Sequence, residues 1–325
     1  MSAINTAILG IDIAKKKFDV ALFRDGKFKA KVFNNSPEGF ESLATWLKHH
    51  GVGKVHACME ATGVLYEGLA LFLYEAGHVV SVTNPFQIKS FGESVLSRTK
   101  TDKADARLIA RFCDAVHPTI WQPDPPEIRK LQALGRRRDA LVSMRTQELN
   151  REPSADAIIK ESVQSVIDLL NQQIEQITEL IKEHINNNPG LKKKSALLRT
   201  IPGVGDVTIE AILSEVNGFE NFKSIEQVVA YMGLSPKEKT SGSSVRGKSH
   251  ICKTGNIRLR RMLYMPALVA IQHNPAVRDL YERLKAKSKN GLIIACACMK
   301  KLVHIIFGVL KNNKPFDPAY NMKTA

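Results

Sequence analysis

The first third of the chain opens on short apolar runs of strand length. Ala7–Ile13, Lys17–Phe23 and Phe28–Phe33 each read as a β-strand, with Asp25-Gly26 as the tight turn between the second and third. The period then changes in "SPEGFESLATWLKHHG", where Ser36 is placed as N-cap, Pro37 as first helical residue and Gly51 as the stop. "KVHACME" reads as a strand, "VLYEGLALFLYEAG" as a helix, "HVVSVTN" as a strand and "KADARLIARFCDAVH" as a helix. Antiparallel strands followed by alternating helix and strand predict a mixed α/β sheet with helices around it, over residues 1–118.

Three prolines in "WQPDPPE" break the last of these helices and open a linker. Beyond it, Ile159, Val163, Val166, Leu170, Ile174, Ile177, Ile181 and Ile185 recur at steps of four or three, with polar residues between. Such a narrow stripe predicts a coiled-coil-like helix, folded back on itself or paired with a second copy. Residues 119–189 therefore read as scaffold, with a homo-oligomer (dimer or tetramer) as one expectation.

Residues 190–325 read as mainly helical. "LLRTIPGVGDVTIEAILSEV" has the form helix, turn, helix; its glycines suit either close approach to a phosphate or an ordinary helix–helix turn. The apolar run "GLIIACACMKKLVHIIFGVL" is cut by Lys300 and Lys301, so it reads as a core helix and no membrane partner is expected. No signal-peptide pattern opens the chain, and five cysteines without a CxxC spacing suit reduced core thiols; a cytoplasmic location follows as an expectation.

Charge sharpens the picture. From Ser235 to Ala325 there are 18 Lys and Arg against 4 Asp and Glu, which accounts for +14 of the formal net charge of +15. So concentrated a positive field predicts a polyanionic partner. Inside that segment lies "TSGSSVRGKSH", Thr240–His250, which is either a flexible basic loop or a hydroxyl nucleophile presented to a phosphate. Arg246 and Lys248 are close enough in sequence to offset charge on such a phosphate; Lys253, Arg258, Arg260 and Arg261 extend the basic set. Arg136, Arg137 and Arg138 read as a nucleic-acid contact or an exposed helix turn, with the former favoured.

The acidic residues form a second set. Asp12 follows the apolar run "AILGI" near the end of the first strand and Glu60 ends "KVHACME", the position at which α/β sheets gather ligands. Asp102 and Asp105, three apart in "TDKADARLIA", share a helix face, and either helix capping or metal binding accounts for such a pair. Asp105, however, heads the apolar stripe Leu108, Ile109, Phe112, where a carboxylate needs a partner. Four hard oxygen donors suit Mg²⁺ or Mn²⁺, and two ions would clamp the attacking and leaving oxygens of a phosphodiester.

"GIDIAKKKFDV", "MEATG", "TDKADARLIA", "IPGVG", "GLSPKEKTSGSSVRGKSHICKTGN", "LRRMLYMPAL" and "FGVLKNNKPFD" occur in this order and together resemble the IS110, or DEDD, insertion-sequence transposases. The resemblance spans essentially the whole chain. It implies a RuvC-like, RNase H-like N-terminal domain, a helical middle and a C-terminal transposase domain. It also implies a recombinase that cuts and rejoins donor and target DNA, guided by a structured bridge RNA. Asp12, Glu60, Asp102 and Asp105 fall on the family's metal-binding positions. The residues alone leave Ser241, Ser243, Ser244 and Ser249 equivalent; the resemblance assigns the nucleophile to Ser241.

Three rivals come from other classes. An actin-like ATPase would share the look of "GIDIAKKKFDVALF" but needs later Gly-rich phosphate loops that the sequence lacks. A junction-resolving endonuclease would use the four acids with water and leave Ser241 dispensable. A non-catalytic nucleic-acid-binding protein would leave the acid of "TDKADA" without a purpose.

Overall fold

The computed structural model describes residues 7–61, 63–95, 102–220, 222–237, 240–241, 245–246 and 250–319, with the side chains of residue 103 and of residues 237–250 outside that description. The chain forms two compact units, Met1–Pro123 and Asp124–Ala325.

The first unit is a five-stranded sheet of order β3-β2-β1-β4-β5, made of β1 (Ala7–Ile13), β2 (Lys17–Arg24), β3 (Lys27–Asn34), β4 (Val55–Glu60) and β5 (Val79–Thr83). β1–β2 and β2–β3 pair antiparallel, β1–β4 and β4–β5 parallel, so the sheet is mixed as expected. The β2–β3 turn is built by Asp25 and Gly26, both left-handed (φ 51° and 72°), which matches the twist of a two-residue hairpin. Helices α1 (Pro37–His49), α2 (Glu67–Glu75), α3 (Pro85–Ser94) and α4 (Asp102–Val116) complete the unit. Ser36 caps α1 by accepting from the Gly39 amide, as the sequence predicts.

Strand alternation gives the sheet two cores. Leu9, Ile11, Ile13, Phe18, Val20 and Leu22 join Leu43, Leu47, Leu69 and Leu73 of α1 and α2 on one face. Ile8 and Cys58 meet Ile109, Ala110, Phe112 and Cys113 of α4 on the other. Gly10 lets α4 lie directly on β1: a Cβ there would overlap the Ala106 carbonyl and the Ala110 amide. The unit runs past the predicted boundary at 118, because the Trp121 amide donates to the Val80 carbonyl at 2.7 Å and its ring packs edge-on against Tyr74.

The second unit begins with a helical hairpin, α5 (Pro126–Arg151) and α6 (Ala157–Asn187). His184 contacts the Glu127 carbonyl at one end and Arg145 donates to Asn171 further along, so the two helices run antiparallel. The expected stripe on α6 is one residue out of phase in its middle. Ile167 is buried with Ile181 and Ile185, while Val166 and Ile159 are exposed, because two adjacent apolar residues left the phase open.

The remaining helices are α7 (Pro189–Arg199), α8 (Asp206–Val216), α9 (Ile225–Tyr231), α10 (Ile257–Met262), α11 (Tyr264–His273), α12 (Pro275–Ala286) and α13 (Gly291–Asn312). Four short strands, β6 (Pro236–Lys237), β7 (Thr240–Ser241), β8 (Val245–Arg246) and β9 (His250–Ile251), lie between α9 and α10. Ile128, Leu131, Ile181 and Ile185 of the hairpin share one core with Leu198, Ile212, Val228, Leu263 and Leu302. The division at 189/190 therefore has no counterpart in the core: the middle and C-terminal regions fold together. α13 is long and apolar enough to cross a membrane, yet Ile294, Cys298, Leu302, Val303 and Ile306 line this core. In the IPGVG turn Gly203 is left-handed (φ 97°), and a Cβ on it would press on Pro266 and Ala270 of α11 at 2.8–2.9 Å. That glycine serves a helix–helix contact, the plainer of the two sequence readings.

Candidate active site

The register of β1 and β4 decides where the acids go. Ile11 pairs with Met59 in parallel, so the next residues, Asp12 and Glu60, come side by side at the C-terminal ends of the two strands. Both share the face of Gly10 and Cys58, onto which α4 packs. The seat of α4 on Gly10 carries its first turn, with Asp102 and Asp105, over that end of the sheet. Across the antiparallel pair Asp12 faces Asp19, which is 7% exposed.

Electrostatics show that these carboxylates act on one another. Burial, and then the charges of Asp105, Asp102 and Asp19, push the Asp12 carboxyl up to about 6 from its usual 3.8. Glu60 is raised by burial and by Asp12 and Asp105. Asp102 moves the other way, held below its ordinary value by a hydrogen bond from the Lys17 ammonium at 2.8 Å. The same ammonium donates to Asp19 at 3.2 Å.

Sequence reasoning missed Lys17 and Asp19. The available signal was their i, i+2 spacing in "KKKFDV", which puts both on one face of β2, the face that Asp12 shares across the ladder. The donor set is all oxygen, half-buried and self-repelling, which fits a hard divalent cation. Among the described residues, no three Asp, Glu, His or Cys side chains stand close enough together to enclose an ion.

The serine segment belongs to the second unit. Thr240 and Ser241 pair antiparallel with Arg246 and Val245, inside an outer pair in which Pro236 and Lys237 face Ile251 and His250. The side chains of Ser241 and Arg246, and all of Lys248, lie outside the described residues. The base of the segment is fixed firmly. The Cys252 amide donates to the Ser235 carbonyl at 2.8 Å, Lys253 N to Gly233 O at 3.1 Å, and Asn256 N to Tyr231 O at 2.7 Å.

The nine basic candidates separate. Arg138 is buried and donates to Glu210 at 2.6 Å; Glu210 is itself fully buried. Arg258 donates to Asp139 (2.6 Å), to both Glu210 oxygens (3.0 and 3.1 Å) and to Glu215 (3.1 Å). Asn256, the N-cap of α10, adds a bond to Glu215 at 2.6 Å. This network ties α5, α8 and α10 together, and its two arginines are turned inward onto carboxylates, contrary to their reading as nucleic-acid contacts. Arg260 donates to the Met232 carbonyl at 3.0 Å. Arg137, Arg261 and Lys253 are exposed, and Arg136 is half-buried.

Two family models match the chain. One, described as "Transposase" and labelled for the DEDD and IS110 type, covers residues 9–154; the other, "Transposase IS116/IS110/IS902 family", covers residues 195–282. The Pilin gene-inverting protein of Moraxella bovis is 34% identical over 95% of this chain and 97% of its own. The transposase for insertion sequence element IS1328 of Yersinia enterocolitica is 25% identical over 77% of this chain and 82% of its own. Among solved structures, a Thermus thermophilus RuvC structure is similar over 36% of this chain and all of its own, at 15% identity and a TM-score of 0.27. With relatives of this length and identity, the chain belongs to the IS110 family of transposases, enzymes that act on DNA.

Proposed function

We propose that this chain cuts and rejoins DNA through a phosphoserine intermediate, with Ser241 as nucleophile and the RuvC-like first unit as its acidic partner. The observation that carries the reading is that Asp12 and Glu60 end neighbouring parallel strands on one face of the sheet and both feel the charge of Asp105 on α4, with the Asp12 carboxyl raised to about 6. A cluster that resists its own ionisation has a standing demand for cationic charge. Asp12, Glu60 and Asp105 would hold Mg²⁺ or Mn²⁺, with Asp102 joining once Lys17 releases it. One or two such ions would stabilise the charge that develops on the phosphate.

The Ser241 hydroxyl attacks phosphorus while the bond to the leaving deoxyribose oxygen breaks, and the serine proton must pass to a base. The phosphoserine ester preserves the energy of the broken bond, so a second DNA hydroxyl can displace serine without ATP. Relatives named for pilin gene inversion and for transposition are both named for rearrangements that need such a break and a rejoining. Guidance by a bridge RNA follows the family resemblance. It would make the protein a reader of backbone and duplex shape rather than of base sequence.

A trapping assay tests this. Junction DNA of the element, the adjacent non-coding RNA and Mg²⁺ are mixed with protein and resolved on a denaturing gel, with Ser241→Ala and Asp12→Asn alongside. A protein–DNA adduct that needs Ser241, Asp12 and the RNA supports the full reading. Cleavage that survives Ser241→Ala without an adduct means a water-using endonuclease, the second reading.

A further inference from the structure

We infer that the outer edge of the first unit's sheet, β3 with the exposed side of α4, is a docking track for the DNA backbone. β3 is an edge strand, and Lys27, Lys29 and Lys31 along it are all exposed. They alternate, so they leave the same face of the sheet at steps of about 6.7 Å, two strand residues each. That is the rise of two nucleotides along one strand of a duplex, at about 3.4 Å each. On the opposite face, the Arg107 and Arg111 guanidiniums of α4 sit over the Phe28 ring, 5.6 and 5.7 Å from its centre. Both arginines are exposed.

Among the described residues, none of these five cations has a carboxylate within salt-bridge distance. Lys17, Arg138 and Arg258 all do. The five are therefore available for an external anion, and they gather in a unit whose sequence gives little sign of net basicity. Lysines on an edge strand also guard against strand-to-strand aggregation. That role does not call for two arginines brought from a helix across the sheet face onto the same strand.

Direction makes the track useful. β3 and β1 both run antiparallel to β2, so they point the same way. Asp12 faces Asp19, and Asp19 faces Val32. The Lys31 backbone, next to Val32, therefore stands about 10 Å from the acidic end of the sheet, two strand spacings away, while its side chain leaves the opposite face, over Phe33. A DNA strand that wraps the edge, held by the lysines on one face and by Arg107 and Arg111 on the other, reaches the face that carries those acids. The partner is DNA because the family acts on DNA. The inference rests on that membership and not on the serine chemistry.

The test is binding of full-length protein to duplex DNA from the element's end, without divalent metal, by fluorescence anisotropy over a salt series. K27Q/K29Q/K31Q and R107Q/R111Q are compared with K48Q/K54Q/K89Q, which removes as many charges as the lysine triple from elsewhere on the unit. Each lost phosphate contact should make the slope of log K against log salt shallower by about 0.9, so the edge triple should lose between 2 and 3. The control triple should leave the slope in place. Circular dichroism melting checks that each variant is folded, and K29Q alone, with a slope change near 0.9, serves if a triple is not. An unchanged slope in folded edge variants, or an equal change in the control, overturns the proposal. So does a loss confined to binding of the non-coding RNA. Cleavage that survives Ser241→Ala would sink the serine reading and leave this measurement untouched.

Discussion

Gly10 of β1 and Ala106 of α4 touch backbone to backbone, with no room for a side chain between them. The helix that carries Asp102 and Asp105 is thereby laid against the strand that carries Asp12. Gly10→Ala must push the helix away, at a cost of about 1–3 kcal/mol or more for overpacking. The melting temperature should fall and Mn²⁺ binding should weaken together. Calorimetry on the same preparation reads both, and a variant that melts lower yet binds Mn²⁺ as before would separate helix placement from the acid cluster.

The raised carboxyl of Asp12 sets a pH dependence. Its folded pKa of about 6 lies above the ordinary 3.8, so the folded protein holds this proton more tightly than the unfolded chain. Stability of the metal-free protein should therefore fall as pH rises from about 4 to about 6. Asp12→Asn should stabilise it at neutral pH by about 1 kcal/mol, well short of the full displacement because the group is half open to solvent. That gain should vanish below about pH 4. Melting curves with chelator across this range measure it. Metal binding needs the ionised form and should strengthen through the same interval in which the metal-free fold weakens.

Lys17 competes with any cation for Asp102 and Asp19. Lys17→Met removes a tethered positive charge from the cluster. Because the pair is largely exposed, the effect is modest: Mn²⁺ affinity should rise by up to about fivefold. Electron paramagnetic resonance of free Mn²⁺ gives the number without any catalytic readout. Weaker binding in Lys17→Met would mean that the ammonium orients the acids instead of rivalling the ion.

Glu210 is the fully buried centre of the network in the second unit, shared by Arg138 and Arg258. Glu210→Ala leaves two guanidiniums without their main partner and should cost about 3–5 kcal/mol. Arg137→Ala, one residue from Arg138 but exposed, should stay within about 0.5 kcal/mol. Urea unfolding compares the two. If Glu210→Ala were as mild as Arg137→Ala, the network would contribute little to the fold.

Much of the first unit was legible because its signals are local. Asp25-Gly26 makes the turn it predicts, Ser36 caps α1, and the strand ends at Asp12 and Glu60 fall on neighbouring parallel strands. What stayed hidden depends on distant partners. Arg138 and Arg258 look alike with Arg137 and Arg261 in the sequence; Glu210 and Asp139, 72 and 119 residues away from them, decide which turn inward. Nothing local marks Asp19, a strand acid whose importance comes from the residue across the ladder. The division at residue 189 failed for a similar reason: a helical stripe does not say which core it will join. On α6, the neighbours Val166 and Ile167 offered two phases, and only packing chose between them.

The serine segment leaves and re-enters the second unit at nearly one point, where Pro236–Lys237 pairs with His250–Ile251 and Ser235 accepts from Cys252. A stretch whose two ends are stitched together in this way is a cassette. Its interior can be exchanged or lengthened for little more than the entropy of closing a slightly different loop. Segments carrying other serine spacings can therefore be grafted between relatives at these two junctions with the helices beneath left intact. The position of the proposed nucleophile becomes something to vary by transplant as well as by point mutation.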